Sequence, residues 1–446
     1  DGREAKALAV SLRHFARLER RQIADKLNAN CVRLGRLGYQ RRGIHTSEVW
    51  EEGTAYAEMV RRQEKLVKAR EELDKSRKQS KRRGGGASTA SKDAGADAGG
   101  AMPPPDAVPN EAEELWKVKT VALKKEEMSL VEDKEKYDRE KLLHARECKR
   151  VRDEERSKYS DFPVLHERYL LLHLLGKGGF SEVYKAFDLF EMRIVACKIH
   201  QLNSQWGEEK KANYMRHATR EYTIQKQLLH ERVVRLFDVF EVSNDCFCTV
   251  LEFCEDGDLD EVLKMQRILP EREARCIVIQ VLNALRYFNE QKQKIIHYDL
   301  KPANILFHKH EVKITDFGLS KVMDDNEDSA MELTSQGAGT YWYLPPECFQ
   351  IGRAPPRISS KVDVWSVGVI FYQMLFGSKP FGDGMSQDQI LIDQTITKST
   401  TVQFPTTPKV SAEAKEFIKK CLAYSQDERM DVLTAFCDPY LRKTKI

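Results

Sequence analysis

Between Arg3 and about Leu37 the apolar positions Leu8, Leu12, Phe15, Ile23, Leu27, Leu34 and Leu37 recur at mostly helical spacings among charged residues, which predicts an amphipathic helix. After a break around Gly43 to Gly53, a second charge-rich stretch from Tyr56 to Arg77 also reads as helix, with Glu64 and Lys68 at the favourable i, i+4 spacing. Heptads are not strictly sustained, so these elements are expected to pack against partner helices rather than to form a plain two-stranded coiled coil. Gly84 to Asn110, with Gly84-Gly85-Gly86 and Pro103-Pro104-Pro105, has nothing to build a core from and reads as a flexible linker. A third helical segment runs from Glu111 to about Lys158 with alternating acidic and basic blocks, the pattern of an exposed helix or a coiled-coil flank. Near Leu170 the pattern changes to strands, and an α+β domain begins. The expected division is 1–83 helical, 84–110 linker, 111–164 charged helix, and 165–446 a domain of strands and helices.

Composition and charge add to this picture. Hydrophobic residues make up 41% of the 446, as in ordinary globular proteins. The longest apolar run, Val364 to Leu375, is interrupted by Ser366, Gly368 and Gln373, so no membrane span is expected. The opening Asp1-Gly2-Arg3-Glu4 has neither an initiator Met nor an apolar signal core and reads as part of a longer chain. The net charge of +4 conceals a split: residues 1–160 hold 37 Lys and Arg against 29 Asp and Glu, and the remainder 36 against 40. The basic half is the expected meeting point for acidic partners. Its cluster Lys75, Arg77, Lys78, Lys81, Arg82, Arg83 would suit an import receptor or nucleic acid, or a solvated helix end. No stacking aromatics accompany it, so direct nucleic-acid binding is the weaker reading. The 10 cysteines show no paired C-x-x-C units at zinc-ligand spacing and read as reduced and structural.

The chemistry lies in the second half. Gly176-Lys177-Gly178-Gly179-Phe180-Ser181 is a glycine-rich loop that can fold closely over phosphates, with Val183 beside an adenine. Val195-Ala196-Cys197-Lys198 follows as a strand, placing Lys198 on the α- and β-phosphates; Glu221, in a helical region starting near Asn213, is its natural partner. Phe247 to Cys254 is an apolar strand running into a hinge. There Leu251, with Ala196 and Leu306, would enclose the adenine, the Glu252 and Cys254 backbones would read its edge, and Asp258 would reach the ribose. His297-Tyr298-Asp299-Leu300-Lys301-Pro302-Ala303-Asn304 and then Asp316-Phe317-Gly318 supply, in order, a base beside an attacking hydroxyl, a cation for the γ-phosphate, and oxygen ligands for Mg²⁺.

These motifs, across roughly Tyr169 to Leu441, resemble the eukaryotic protein kinases. By that resemblance 165–446 is a two-lobed kinase domain, with an N-lobe of about 165–253 and a C-lobe of about 254–446, and ATP and Mg²⁺ are its cofactors. Asp299 is the catalytic base, Lys301 contacts the γ-phosphate, and Asn304 and Asp316 bind the metal. Phe317 and His297 belong to a packed column aligning the lobes, Glu347 pairs with Arg429, and Asp363 braces the catalytic loop. Lys301 within D-L-K-P-A-N and Gly339-Thr340 resemble the Ser/Thr branch. Tyr298 departs from the Arg common before the catalytic Asp and cannot fork a phosphate. The activation segment is therefore expected to reach its working shape without phosphate at Ser329, Thr334 or Ser335.

The closer resemblance is to the Tousled-like kinases. It is carried by Arg168 to Gly176, Lys198-Ile199-His200-Gln201-Leu202-Asn203, His297-Tyr298-Asp299 and Glu332 to Cys348, and upstream by Tyr56 to Val60. It implies a nuclear enzyme that self-associates through its N-terminal helices, autophosphorylates, and phosphorylates anti-silencing-function histone chaperones in chromatin assembly. The alternative reading is a recruiting scaffold for chromatin or chaperones with a kinase domain of low activity.

Overall fold

The structure is a computed structural model that describes residues 2–42, 45–84, 111–179, 181–202, 205–243, 245–323, 331–332, 339–350 and 356–442. These form two compact units, one of His14–Arg156 and one of Ser157–Ile446 together with Asp1–Arg13.

The first unit is built from the part of α1 (Gly2–Arg33) that follows Arg13, a hairpin of β1 (Gly35–Arg42) and β2 (His45–Glu52), α2 (Thr54–Gly84) and α3 (Glu111–Glu155). The hairpin corrects the sequence reading, which carried the first helix to about Leu37 and left only a break before the next. Leu37 pairs with Trp50 and Tyr39 with Glu48 in an antiparallel register. The alternation is short and half-exposed, so Leu34 and Leu37 passed as one more helical turn.

Polar ties join these elements. The Tyr137 hydroxyl donates to the Leu34 carbonyl (3.0 Å) and lies 2.6 Å from Glu52 Oε2, and Lys141 pairs with Glu52. Buried Glu154 sits between Arg20 (2.6 Å) and Arg150 (3.0 Å). Arg62 and Arg70 on α2 reach Asp133 and Glu127 on α3, but these pairs are largely exposed and contribute little.

The second unit opens with a six-stranded antiparallel sheet. Its strands are β3 (Val164–Leu165), β4 (Tyr169–Lys177), β5 (Ser181–Asp188), β6 (Arg193–Gln201), β7 (Leu236–Ser243) and β8 (Cys246–Glu252), in the order β3-β4-β5-β6-β8-β7. Helix α4 (Glu208–Gln227) interrupts the strands and begins a turn earlier than expected. Along β5, buried and half-buried residues alternate: Tyr184 and Ala186 enter the sheet's core while Val183 points to the other face.

The larger lobe is helical. After α5 (Leu259–Met265), α6 (Glu271–Asn289) buries one apolar face, and α7 (Lys361–Phe376) is apolar all round and buried accordingly. Between them lie β9 (Ile295–Ile296), β10 (Ile305–His308), β11 (Glu311–Ile314) and β12 (Lys321–Val322), paired β10 with β11 and β9 with β12. These short ladders hold the loops that carry Asp299 and Asp316. Among the described residues no helix is long and apolar enough to cross a membrane.

Candidate active site

The β4–β5 turn is closed by the Gly178 N–H donating to the Ser181 carbonyl at 2.7 Å. A side chain added at Gly176 or Gly179 would meet open space, so glycine here leaves the loop backbone accessible to a ligand. Lys177 is tied to Glu182 at 2.9 Å, which also accepts from the Ser157 hydroxyl at 2.6 Å. Phe180 lies outside the described residues.

Beneath the loop, Val183, Ala196, Val234, Leu236, Leu251, Phe253, Cys254 and Leu306 form one apolar cluster. Strand register brings it together, with Val183 opposite Lys198 and Ala196 opposite Leu251. Sequence reasoning found Val183, Ala196, Leu251, Cys254 and Leu306 but missed Val234 and Leu236, which precede or open an ordinary strand. Burial pushes the Cys254 thiol up to about 12, so it is an inert lining group. The Glu252 N–H is taken by the Arg235 carbonyl (2.8 Å) and its carboxylate by Lys313 (3.0 Å), so that residue is first of all a structural tie. Asp258 caps α5, accepting the Glu261 N–H at 2.8 Å; this commits one of its oxygens.

Lys198 Nζ donates to Glu221 Oε1 at 2.9 Å and Asp316 Oδ1 at 3.4 Å. Burial disfavours its charge, but Asp316 and Glu221 outweigh that and raise its pKa. The Lys198 charge in turn holds the Asp316 carboxyl below its ordinary value against the effect of burial. Lys198 and Asp316 therefore stay ionised together at neutral pH.

Across the cleft, both Asp299 oxygens are held. Oδ2 accepts from Lys301 Nζ (2.5 Å) and Asn304 Nδ2 (3.3 Å), and Oδ1 from the Thr340 hydroxyl (2.9 Å). Thr340 also accepts from Lys301 at 3.1 Å; it was noted in the sequence only as a branch marker, and its contact with the carboxylate is decided by the fold. Asn304 Nδ2 donates to the Asp299 carbonyl at 2.8 Å, leaving its amide oxygen for another partner.

The loop is braced from below. Asp363, fully buried, accepts the His297 and Tyr298 N–H groups at 2.8 and 2.9 Å. Burial raises its pKa, which the two N–H donors and His297 oppose. His297 packs on Phe317 with ring centroids 5.2 Å apart, and Phe317 on Phe288 at 5.6 Å. Arg429 forks onto Glu347 at 2.6 and 3.0 Å, and both are buried.

Tyr298, where an arginine would reach for a phosphate, is buried among Met323, Leu344, Cys348, Ile358 and Val362. Burial and the neighbouring Cys348 raise its pKa, so the phenol stays neutral. Ser329, Thr334 and Ser335 lie outside the described residues.

A glycine loop, an ion-paired strand lysine, a held aspartate and a second aspartate across one cleft define the class: this is a protein kinase domain. A family profile described as Protein kinase domain matches residues 169–441, and the chain belongs to that family. Within it the similar proteins are Tousled and Tousled-like serine/threonine kinases. The chain is 49% identical to the serine/threonine-protein kinase TOUSLED of Arabidopsis thaliana, covering 99% of this chain and 63% of that protein. It is 51% identical to tousled-like 1-B of Danio rerio over 95% of this chain and 59% of that one. To tousled-like 2 of Homo sapiens it is 59% identical over 74% of this chain and 44% of that protein. The chain thus spans about three fifths of the first two relatives' length.

Proposed function

We propose that this chain transfers the γ-phosphate of ATP to serine and threonine hydroxyls of proteins. The observation that carries the reading is the Lys198 ammonium held between Glu221 and Asp316 at 2.9 and 3.4 Å, the arrangement that phosphoryl transfer needs. Lys198 would hold the α- and β-phosphates. The Gly176–Ser181 backbone would cover them, and the cluster around Val183, Ala196, Leu251 and Leu306 would enclose the adenine, with the Cys254 backbone at its edge. The Asp316 carboxylate and Asn304 amide oxygen are hard donors that fit Mg²⁺. When bound, that ion supplies charge neutralisation on the phosphates. Asp299 accepts the proton of the attacking hydroxyl, and Lys301, already beside that carboxylate, balances charge on the transferred group. With both its oxygens held, Asp299 is oriented in advance of the substrate.

The similarity to Tousled-like kinases supports a nuclear enzyme acting on anti-silencing-function histone chaperones in chromatin assembly. Self-association through the N-terminal helices is supported by Val118, Val121, Met128 and Val131, exposed apolar residues on one side of α3. The same surface favours a coexisting role in recruiting chaperones. Transfer of radiolabelled γ-phosphate to a chaperone panel tests the reading. Label should depend on Mg²⁺ and vanish in Asp316→Ala; equal labelling by that variant would refute it. Val118→Glu with Met128→Glu should lower the oligomeric state, and an unchanged state would remove that face from self-association.

A further inference from the structure

Three side chains with soft-donor chemistry meet in the helical unit, away from the kinase cleft. Cys31 comes from the last turns of α1, and His144 and Cys148 from α3. One ligand atom from each lies within 4.8 Å of the other two. His144 and Cys148 stand four residues apart and so share a helix face. Cys148 Sγ lies 3.5 Å from His144 Nε2 and 3.7 Å from Nδ1. Sulfur and nitrogen ligands of a tetrahedral Zn²⁺, at about 2.3 and 2.0–2.1 Å from the ion, stand about 3.6 Å apart.

The histidine is already oriented for such a role. It is buried, at 4% exposure, and its Nε2 lies 3.0 Å from the Gly35 carbonyl, which can only accept. The ring proton therefore sits on Nε2, which leaves Nδ1 as the nitrogen with a lone pair for a metal. A histidine that binds a metal typically donates its other N–H to a carboxylate, backbone carbonyl or water in this way. Gly35 itself is fixed, with φ +116° and an added Cβ falling 2.2 Å from the Glu51 carbonyl oxygen, so the carbonyl that sets the tautomer depends on glycine. His144 also borders a cavity of about 360 Å³ lined with Asn30, Arg33 and Glu147. Glu147 is itself engaged by Arg150 at 2.6 Å.

We propose that Cys31, His144 through Nδ1, and Cys148 form a site for one Zn²⁺ that ties the end of α1 to α3 beside the β1–β2 hairpin. Binding displaces the two thiol protons to solvent and forms two Zn–S bonds and one Zn–N bond; no electron is transferred. Helix spacing alone supplies the H-x-x-x-C half of the site, and only the fold delivers Cys31.

The test uses the whole chain, reduced and freed of metal with a chelator. Titration with Co²⁺ should saturate at one ion per chain, with thiolate-to-metal charge-transfer absorption and the intense visible bands of a tetrahedral site, and Zn²⁺ should displace it. Cys31→Ser and Cys148→Ser should lose the charge-transfer band and bind more than about 100-fold more weakly, since even outer partners of metal ligands are worth 10–100-fold. Alkylation of the unmodified chain needs no variant: Zn²⁺ should protect Cys31 and Cys148 while leaving exposed Cys276 and Cys437 reactive. The proposal is overturned if the reduced chain takes up no Co²⁺, if the spectrum is octahedral and unchanged in the serine variants, or if Zn²⁺ leaves both thiols unprotected.

Discussion

Helix α7 and helix α3 treat their side chains in opposite ways. Over 16 residues α7 buries Val364, Trp365, Val369, Ile370, Phe371 and Met374 almost completely. Over 45 residues α3 buries only Tyr137, His144 and Glu154 among those described, and leaves Leu115, Val118, Val121, Met128 and Val131 exposed. The kinase domain is thus held by apolar burial, which is non-directional and large. The helical unit buries few apolar side chains, Ala16, Leu34 and Leu66 among them, and adds polar junctions at Tyr137 and Glu154. A function that requires atoms fixed to fractions of an ångström sits in the first kind of structure, and contacts open to partners sit in the second.

Several substitutions would break or sharpen this contrast. The largest effect is expected for Asp299→Ala, which should lower turnover about 10²–10⁴-fold, the usual worth of a positioned base. Near-normal rates would remove Asp299 from its role. Next, Arg429→Met strands the buried Glu347 carboxylate and should cost about 3–5 kcal/mol in urea unfolding of the kinase domain; a loss under 1 kcal/mol, on the order of an exposed pair, would mean the site is wetter than it looks.

In the helical unit, Tyr137→Phe deletes the hydroxyl between Leu34 and Glu52 and should cost about 1.5–3 kcal/mol, with turnover unchanged. If turnover falls with it, the two units are coupled. At the end of β5, burial raises the Asp188 pKa, but the Arg168 fork at 2.7 Å and two backbone N–H groups bring it below the ordinary value. Its contribution should be fully present above the unfolded pKa of about 3.9 and be lost as pH falls through the lower folded value. Asp188→Asn should flatten that acid limb of the stability profile, and an unaltered limb would discount the pair. The smallest effect is expected for joint replacement of Ser329, Thr334 and Ser335 by Ala, because buried Tyr298 offers no charge for a phosphate; a large loss of basal activity would contradict that expectation.

The candidate site residues were legible in the sequence because phosphoryl transfer restricts which groups occupy a few short motifs. Lys198, Glu221, Asp299, Lys301, Asn304 and Asp316 fall where those motifs put them, and the structure brings Lys198 to Glu221 and Asp316, and Asp299 to Lys301 and Asn304. The β1–β2 hairpin was not legible, since its alternation is short and merges with the helix before it. Thr340's hydrogen bond to Asp299 was not legible either, because nothing in a threonine's neighbours along the chain says which carboxylate it will meet.

By itself, then, the sequence determined the motifs of a protein kinase domain, the mix of strands and helices that carries them, and the charged, sparsely apolar character of the N-terminal helices. Those properties follow from local pattern and from motifs whose residues are near one another along the chain. Tertiary structure alone decided that Cys31 meets His144 and Cys148, that Val234 and Leu236 join the apolar cluster beneath the glycine loop, and that Glu252 is spent on Arg235 and Lys313. Each of these rests on residues distant in sequence being held at contact distance, and such distances are set by packing of the whole domain rather than by any segment of it.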